Sequence, residues 1–429
     1  MQDKSAHLSE GISPGSVEVC PRKVLLVHNR YRSTGGEDEV YSREKALLLR
    51  QGHEVVEYTR DNAEIANYGA REKAALIVRT TWAWDSYREL VRLLRRERPD
   101  VAHFHNTFPL ISPAAYYACS AANVPVVQTL HNPRLLCPAA TLFRDGSVCE
   151  ECVGRSLALP AVRHGCYQHS RSRSAVVASM ISTHRWLGTW KYKVDTYIAS
   201  TEFYRRKFAE TDIPREKIVV KSHFVDADPG CAQSVGEYAV FIGRLAPEKG
   251  VPTLLAAWKK LGPIPLRIRG EGPLGDLVSL FVKQSGGSTT LVPRLTRSGL
   301  FDLIKGARFL VWPSEGYYET FGLIAIEAFA CGVPVIASRC GVMQEIVSEG
   351  RTGLHFTPGS ADDLVEKVEW AWTHPREMRD IGRTARAEYE AKYTADRNYK
   401  ILLNVYHHAI QEARKPLPSD YRKVFRVAD

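Results

Sequence analysis

The chain has 429 residues, 44% of them hydrophobic and 25% charged, with a formal net charge of +10. A chain of this size has room for two domains of roughly 200 residues each, which excludes a small module held together by disulfides. Residues 1–22 lack the apolar core of a signal peptide, and no segment approaches the roughly 18 apolar residues of a spanning helix. We therefore expect a cytoplasmic protein with a disordered N-terminal tail. The positive charge favours an anionic partner: a nucleotide, a phospholipid surface or a nucleic acid.

The first predicted domain, residues 23–225, alternates strand and helix patterns. The apolar run KVLLVHN ends before Gly35 and Gly36, and a helical pattern follows over residues 40–50. HEVVEYTRDN and VAHFHNTFP are further strand patterns, separated by the helix-like segment DSYRELVRLLRRERPD. This β-α-β alternation predicts a parallel sheet covered by helices. The segment GGEDEV does not match G-x-G-x-x-G, so the fingerprint of a Rossmann oxidoreductase is absent at this position.

Two histidines follow apolar strands at the predicted carboxyl edge of this sheet. His105 and Asn106 end one strand pattern, and His131 follows another, VPVVQTL. Open α/β sheets bind ligands at this edge, so the repeated placement is better evidence of a ligand site than either histidine alone. The alternative is that each histidine is an ordinary hydrogen-bonding residue of a loop.

Four of the nine cysteines lie close together in LCPAATLFRDGSVCEECVGRSLALPAVRHGC. A C-x2-C pair with two outlying cysteines is compatible with a structural zinc site that pins a loop of low apolar content. The alternative is four thiols without a shared ligand, since cysteines stay reduced in the cytosol. Nothing marks an open coordination position, so we expect no metal in catalysis. The four residues are Cys137, Cys149, Cys152 and Cys166.

Two basic stretches bear on the partner of the protein. In residues 85–100 the leucines share one helix face and the arginines lie on the opposite face. Such a helix can lie on an anionic bilayer surface, and the alternative is a surface helix whose arginines face water. Residues 163–217 interleave Arg, Lys and His with aromatic rings, as in nucleic-acid-binding proteins, but contain no RNA or DNA module motif. We therefore expect an anionic membrane or an acceptor phosphate as the partner, and no nucleic acid.

Residues 226–236 are predicted to link the two domains. Their D-A-D tripeptide has the form of a D-x-D metal motif, but it lies in a stretch with Pro, Gly and Ser between two strand patterns, which favours a hinge.

The second domain, residues 237–393, opens with a strand and the loop GRLAPEKG. Arg244 and Lys249 in this loop place two cations at the carboxyl end of the strand, where they suit a diphosphate.

The motif ETFGLIAIE begins a predicted helix between two buried strands, ARFLVWPS and VPVIAS. Backbone N–H groups at the start of such a helix are suited to an anion because they lack partners within the helix. The alternative is an ordinary β-α-β turn, in which Glu319 caps the helix and Glu327 is solvated.

The E-x7-E spacing of this motif, the string G-R-L-x-P-E-K-G and the paired glycine after the first strand resemble retaining glycosyltransferase family 4. The resemblance extends from residue 23 to about residue 408, and it is densest in the second domain. It implies the GT-B fold, an α/β architecture of two Rossmann-like parallel-sheet domains that face each other across a cleft. In this fold the final helix, within residues 394–429, returns to the N-terminal domain. The acidic residues that follow Gly36 are less usual for the family.

In the second domain the resemblance implies that Glu319 lies beside the donor sugar and Glu327 binds the ribose hydroxyls. The backbone amides of residues 321–323 would hold the diphosphate. Arg244 and Lys249 would then stabilise this group as it leaves.

The resemblance also assigns residues around the rest of the cleft. Gly36 would approach the donor phosphates, and His131 would hydrogen-bond the donor sugar. His105 and Asn106 would face the acceptor. The nucleobase would stack near Arg294 and Leu295.

The implied activity is a retaining, metal-independent transfer of a sugar from a nucleoside-diphosphate sugar to a hydroxyl acceptor. The acceptor would be a lipid-linked or polysaccharide-precursor saccharide, reached at the inner face of the plasma membrane. Only one carboxylate is marked on the sugar side, whereas retaining hydrolases need two, so the resemblance implies front-face attack without a covalent nucleophile. The rival hypothesis is a non-catalytic protein that binds sugar nucleotides or nucleic acid. A phosphorylase-like enzyme would need a pyridoxal lysine, which no feature indicates.

Overall fold

The computed structural model describes residues 21–31, 35–234, 236–317 and 319–415. Nearly all of the predicted N-terminal tail lies outside these ranges, as do residues 416–429 of the predicted C-terminal segment. The described chain forms two six-stranded parallel sheets and one short antiparallel hairpin.

The first sheet has the strand order β2-β1-β3-β4-β7-β8, and β5 and β6 form the hairpin. The strands are β1 (Lys23–Arg30), β2 (Glu54–Asp61), β3 (Val101–Asn106), β4 (Val126–Thr129), β5 (Phe143–Arg144), β6 (Ser147–Val148), β7 (Thr196–Ala199) and β8 (Ile218–Val220). The helices of this part of the chain are α1 (Gly36–Arg50), α2 (Ala70–Thr81), α3 (Trp84–Glu97), α4 (Ala114–Ala121), α5 (Leu159–His164), α6 (Arg171–Trp186), α7 (Thr189–Tyr192) and α8 (Glu202–Phe208).

The second sheet has the strand order β11-β10-β9-β12-β13-β14. Its strands are β9 (Tyr238–Ile242), β10 (Leu266–Arg269), β11 (Thr289–Val292), β12 (Ala307–Trp312), β13 (Val335–Ser338) and β14 (Gly353–Phe356). The remaining α-helices are α9 (Val251–Lys260), α10 (Gly275–Gln284), α11 (Arg297–Lys305), α12 (Leu323–Ala330), α13 (Met343–Ile346), α14 (Ala361–Thr373), α15 (Pro375–Lys392) and α16 (Ala395–Ala413). Short 3-10 helices span Asn62–Asn67, Pro133–Leu135, Arg215–Lys217 and Pro247–Lys249.

Each sheet has a point where the direction of winding reverses, which is where open α/β sheets bind ligands. In the first sheet this point lies between β1 and β3, and in the second between β9 and β12. The segments that leave β1, β9 and β12 carry the glycine pair, Lys249 and Glu319, and His105 lies near the end of β3. The topology therefore places these predicted site residues at the carboxyl edges of the two sheets.

The last helix, α16, packs on the first sheet although it follows the second domain in the chain. Leu402, Val405, Tyr406 and Ala409 share one buried cluster with apolar side chains of β1, β3, β4 and β7. Val225 pairs with Thr394 in an isolated parallel bridge, so the two crossings between the domains lie side by side.

Both carboxylates of the D-A-D tripeptide are held by arginines. Asp226 accepts from Arg50 at 2.9 and 2.7 Å, and Asp228 accepts from Arg386 at 2.7 and 2.5 Å. These contacts fasten the connecting segment to helices α1 and α15.

In the described ranges no helix combines the length and apolar character needed to cross a bilayer.

Candidate active site

The starts of helices α1 and α12 meet across the cleft. A Cβ built at Gly36, the first residue of α1, would lie 3.6 Å from Leu323 Cδ1, on the first residue of α12. The first N–H groups of a helix have no partner within it, and the helix dipole adds partial positive charge there. Two such ends around one gap form a place suited to an anion such as a diphosphate.

Glycine at position 322 permits the turn that begins α12. Gly322 has φ +98°, in the left-handed region, and a Cβ there would overlap the ring of Trp312. Phe321 is 2% exposed and anchors the turn in the core. The backbone amides of residues 321–323 are thus held at the cleft by the packing of two aromatic rings.

Lys249 forms an ion pair with Glu319. The contact depends on Gly250, whose φ of +69° and lack of a Cβ let this loop lie directly against Pro313. Trp312 Nε1 and Ser314 Oγ also donate to Glu319 Oε1, at 3.2 and 2.9 Å. Burial pushes the pKa of Glu319 up, but Lys249 and the two donors outweigh burial and hold the pKa below its ordinary value.

The other predicted donor residues differ in exposure. The Arg244 side chain is 57% exposed, and its Nη1 lies 3.5 Å from Glu248 Oε1. Arg294 is exposed, while Leu295 is half-buried against the core. Their predicted contact with a nucleobase stays a prediction.

His131 lies where the first domain touches the Glu319 loop. Its backbone oxygen accepts from Thr320 Oγ1 at 2.9 Å, and its Nε2 lies 2.9 Å from His105 Nδ1. Burial, and after it the neighbouring histidines and Lys221, holds the pKa of His131 well below its ordinary value. The imidazole is therefore neutral near pH 7, and it can donate or accept a hydrogen bond without carrying a charge.

His105 and Asn106 lie beneath the cleft surface. His105 is 2% exposed and packs behind His131. Asn106 is 6% exposed, and its Nδ2 donates to Asn29 O at 2.7 Å and to Glu37 Oε1 at 3.0 Å. Both side chains thus contact other site residues, and any influence on the acceptor would pass through His131 and Glu37.

Glu37 was not singled out in the sequence as a site residue. It lies in the first turn of α1 and accepts hydrogen bonds from Asn106 and, at 3.2 Å, from Asn132 Nδ2. Burial raises the pKa of Glu37 to about 8. The carboxyl group is therefore largely protonated near pH 7 and can donate as well as accept a hydrogen bond.

A second group missed in the sequence surrounds Glu327. This carboxylate is 5% exposed, and its Oε1 accepts from Arg43 Nη2 at 2.6 Å and from Arg297 Nη2 at 3.4 Å. Glu39 Oε1 accepts from the same two arginines, at 2.9 and 2.8 Å. Glu327 therefore takes part in a bridge between α1 and the second domain, and its predicted contact with a ribose stays a prediction.

One trio in the described part of the chain brings three potential metal-ligand atoms within 4.8 Å of one another: Glu44, His103 and His105. The Lys221 ammonium already lies 2.6 Å from Glu44 Oε1. His103 is held by Tyr406 and Thr129 through hydrogen bonds of 2.9 and 2.7 Å. Lys221 and Glu44 thus form an internal ion pair, and hydrogen bonds orient both histidines, while Glu44 Oε2 and His105 Nε2 have no hydrogen-bond partner among the described residues.

Comparison with known proteins matches each half of the chain to a family. Residues 45–229 match Glycosyltransferase Family 4, and residues 233–388 match Glycosyl transferases group 1. Sulfoquinovosyl transferase SQD2 of Arabidopsis thaliana is 35% identical over 156 residues, which cover 35% of this chain and 29% of that protein. The D-inositol 3-phosphate glycosyltransferase of Gordonia bronchialis is 30% identical over 194 residues, 41% of this chain and 42% of that protein. Each match thus spans less than half the length of the relative.

A solved structure of Anabaena Alr3699/HepE in complex with UDP and glucose superimposes with a TM-score of 0.62 at 17% identity, over 90% of this chain and 99% of that chain. At this identity the likeness concerns the fold, and the sequence-based prediction of GT-B is confirmed. The two parts of the chain therefore match two glycosyltransferase families, and the chain as a whole has the two-domain fold of glycosyltransferases.

Proposed function

We propose that this protein transfers a sugar from a nucleoside-diphosphate sugar to a hydroxyl group of a saccharide acceptor. The observation that carries the proposal is the meeting of the α1 and α12 starts, with Gly36 lying against Leu323. Arg244 and Lys249 follow the strand next to β12 and add two cations on the same edge of the second sheet. The Anabaena protein was solved in complex with UDP and glucose, which makes a UDP-sugar the first donor to test.

Charge on the departing diphosphate is the main electrostatic problem of such a transfer. Two helix starts, Arg244 and Lys249 supply positive charge for it, so the proposed reaction needs no metal ion. In the structure, Lys249 is paired with Glu319. In a donor complex the ammonium would lie between the carboxylate and the phosphate, and Glu319 would orient the sugar.

We propose that transfer proceeds with retention through front-face attack. The Glu319 carboxylate accepts hydrogen bonds from Lys249, Trp312 and Ser314. A carboxylate held in this way is better suited to position the sugar than to attack it as a nucleophile. The neutral His131 ring would donate to or accept from a sugar hydroxyl. The acceptor oxygen would bond to the anomeric carbon as the bond to the diphosphate breaks, and a phosphate oxygen would take the acceptor proton.

The proposed acceptor is a lipid-linked or polysaccharide-precursor saccharide at an anionic membrane surface. Val78, Leu159 and Trp186 are 66%, 62% and 79% exposed. They lie on α2, α5 and α6, and α6 packs against both of the other helices. Arg163 and Arg171 are exposed on α5 and α6, so apolar and cationic side chains share this region, as peripheral binding to anionic lipid requires.

Three measurements test the activity. A thermal-shift screen with UDP, GDP, ADP and their glucose conjugates should identify the base, since a ligand at 100 times its Kd stabilises the protein by about 2.7 kcal/mol. A diphosphate-release assay with the matching donors should then detect turnover, and NMR of the product should show the anomeric configuration of the donor. Binding without any donor turnover would favour the non-catalytic alternative, and an inverted product would contradict retention.

A further inference from the structure

Four cysteines from one loop region of the chain surround one small cavity in the first domain. Cys137, Cys149, Cys152 and Cys166 all line it, and its volume is about 20 Å³. A cavity that holds one water-sized sphere needs roughly 10–15 Å³, so there is room for a single small ion. The cavity is lined mainly by apolar atoms. Since a buried water needs two to four polar partners, this cavity suits a water molecule poorly.

Backbone hydrogen bonds hold three of these cysteines in place. The N–H of Cys137 donates to Pro133 O at 2.8 Å, that of Cys149 to Leu142 O at 2.9 Å, and that of Cys166 to Ala161 O at 3.0 Å. Cys149 follows the β5–β6 hairpin, whose Asp145-Gly146 turn has φ of +53° and +77°. An Asp-Gly pair with positive φ is the preferred two-residue hairpin turn. The folding of the loop itself therefore brings the thiols together.

A cation lies beside the four cysteines. The Arg144 side chain lines the same cavity. A guanidinium there would offset part of the negative charge of four thiolates, as neighbouring cations and donors do around metal-bound sulfur.

We propose that Cys137, Cys149, Cys152 and Cys166 bind one Zn²⁺ ion in a tetrahedral, structural site. Four sulfur ligands favour zinc over the hard cations, and a site closed by four protein ligands leaves no position for substrate. Binding forms four Zn–S bonds and releases the protons of the thiols that were still protonated. No three of these sulfurs lie within 4.8 Å of one another in the described chain. Zn–S bonds of about 2.3 Å would therefore draw them inward around the ion.

The site would hold the β5–β6 hairpin against the loop that carries Glu319. A Cβ at Gly316 would lie 2.7 Å from Phe143 Cδ2 and 3.5 Å from Val148 Cγ2, so the hairpin touches this loop directly. Beside it, Glu150 pairs with Lys207 of α8 at 2.7 Å. Loss of the ion would thus loosen one wall of the candidate donor site as well as the cysteine loop.

Metal analysis of the untagged native protein, purified without chelators, tests the proposal directly. We expect about one equivalent of zinc per chain, released when a mercurial reagent modifies the thiols. Less than about half an equivalent, or iron in place of zinc, would overturn the assignment. Cys149→Ser and Cys152→Ser should lose the metal, whereas Cys231→Ser, at an exposed cysteine outside the cluster, should keep it. The native protein decides the question even if the first two variants fail to fold.

Two further measurements on the native chain separate this site from adventitious binding. Cobalt exchanged for zinc should give thiolate-to-metal charge-transfer absorption, and its absence would exclude a sulfur site. Metal release should lower hydrogen-exchange protection of residues 143–148 and of the loop around Gly316. Unchanged protection in both segments would overturn the proposed link to the donor site, whatever the zinc content.

Discussion

Arg43 Nη2 lies 2.6 Å from Glu327 Oε1 across the cleft, and both side chains are 6% exposed. Arg43 Nη1 also donates to Phe224 O at 2.8 Å, next to the crossing between the domains. A single guanidinium from α1 therefore joins the first domain, the connecting segment and α12. The relative position of the two candidate anion-binding helix starts depends on this buried ion pair.

Replacing Arg43 with Ala should lower stability by roughly 3 to 5 kcal/mol, because it leaves the Glu327 carboxylate buried with a weak contact to Arg297. Adding Glu327→Gln should recover part of the loss, since no buried charge then remains unpaired. Thermal unfolding of the wild type, both single variants and the double variant forms the required cycle. Strictly additive shifts in Tm would contradict the coupling.

Replacing Lys249 with Ala should lower kcat/KM by about 30-fold to 1,000-fold, which corresponds to about 2 to 4 kcal/mol of transition-state stabilisation. The reason is the loss of a cation that would neutralise the leaving diphosphate and that holds Glu319 in place. Lys283→Ala, at an exposed helix position, is the matched control and should leave turnover unchanged. Equal kcat/KM for the Lys249 variant and the wild type would remove Lys249 from the mechanism.

Replacing Gly322 with Ala should destabilise the protein by about 2 to 4 kcal/mol, because the methyl group would overlap Trp312 and alanine disfavours a φ of +98°. Gly262→Ala is the control, since no atom lies within 4 Å of a Cβ there and its φ is not left-handed. Comparison of the two Tm values checks the prediction. A Gly322 variant as stable as the control would show that the turn can relax.

Replacing Gly36 with Ala should preserve the fold but weaken nucleotide binding about tenfold or more, equivalent to at least about 1.4 kcal/mol. A Cβ at this position would meet Leu323 Cδ1 at 3.6 Å, an ordinary contact distance, yet it would occupy the gap between the two helix starts. Calorimetric titration with the nucleoside diphosphate that binds the wild type measures the change. An unaltered Kd would place the phosphates elsewhere.

Acidification should destabilise the protein through its buried histidines. Burial lowers the pKa of His103 and His184 to about 4, and it lowers those of His105, His131 and His223 well below their ordinary value. These histidines take up protons more readily in the unfolded chain than in the folded one. Their contribution to folding stability is therefore complete above pH 6.5, and it is lost as the pH falls toward their folded-state pKa values.

Two carboxyl groups act in the opposite direction. The folded-state pKa of Glu37, about 8, exceeds its ordinary value of 4.5, so its contribution to stability grows as the pH falls from 8 to 4.5. Burial also raises the pKa of Asp195 above its ordinary value. Five histidines at up to about 1.36 kcal/mol each per pH unit should outweigh these two carboxyl groups. We expect Tm to fall between pH 7 and pH 5, and a Tm that rises or stays constant over this range would contradict the assignment of neutral, buried rings.

Local patterns in the sequence predicted much of the fold. The apolar runs at β1, β3 and β12 are buried strands of parallel sheets, as their continuous hydrophobicity indicated. The start of α12 was also recognisable, because Gly322 and both glutamates of the E-x7-E motif lie within nine consecutive residues. Such features are visible in sequence because burial on both faces and left-handed turns restrict the residue types at neighbouring positions.

Other parts of the site have no local signature. Arg43 and Glu327 are separated by 284 positions, and Arg297 and Glu39 by 258. An arginine on a helix that faces a partner domain has the same local pattern as one that faces water, so the sequence could not separate the two. The same holds for Glu37, whose raised pKa comes from burial beneath other segments.

By itself, then, the sequence determined where strands, helix starts and glycine turns occur, since those depend on the residues immediately around them. Only the tertiary structure decided that α1 meets α12 and that Arg43 binds Glu327. Both contacts result from the packing of segments distant in the chain, which brings opposite charges into a common, poorly solvated space that no single segment defines.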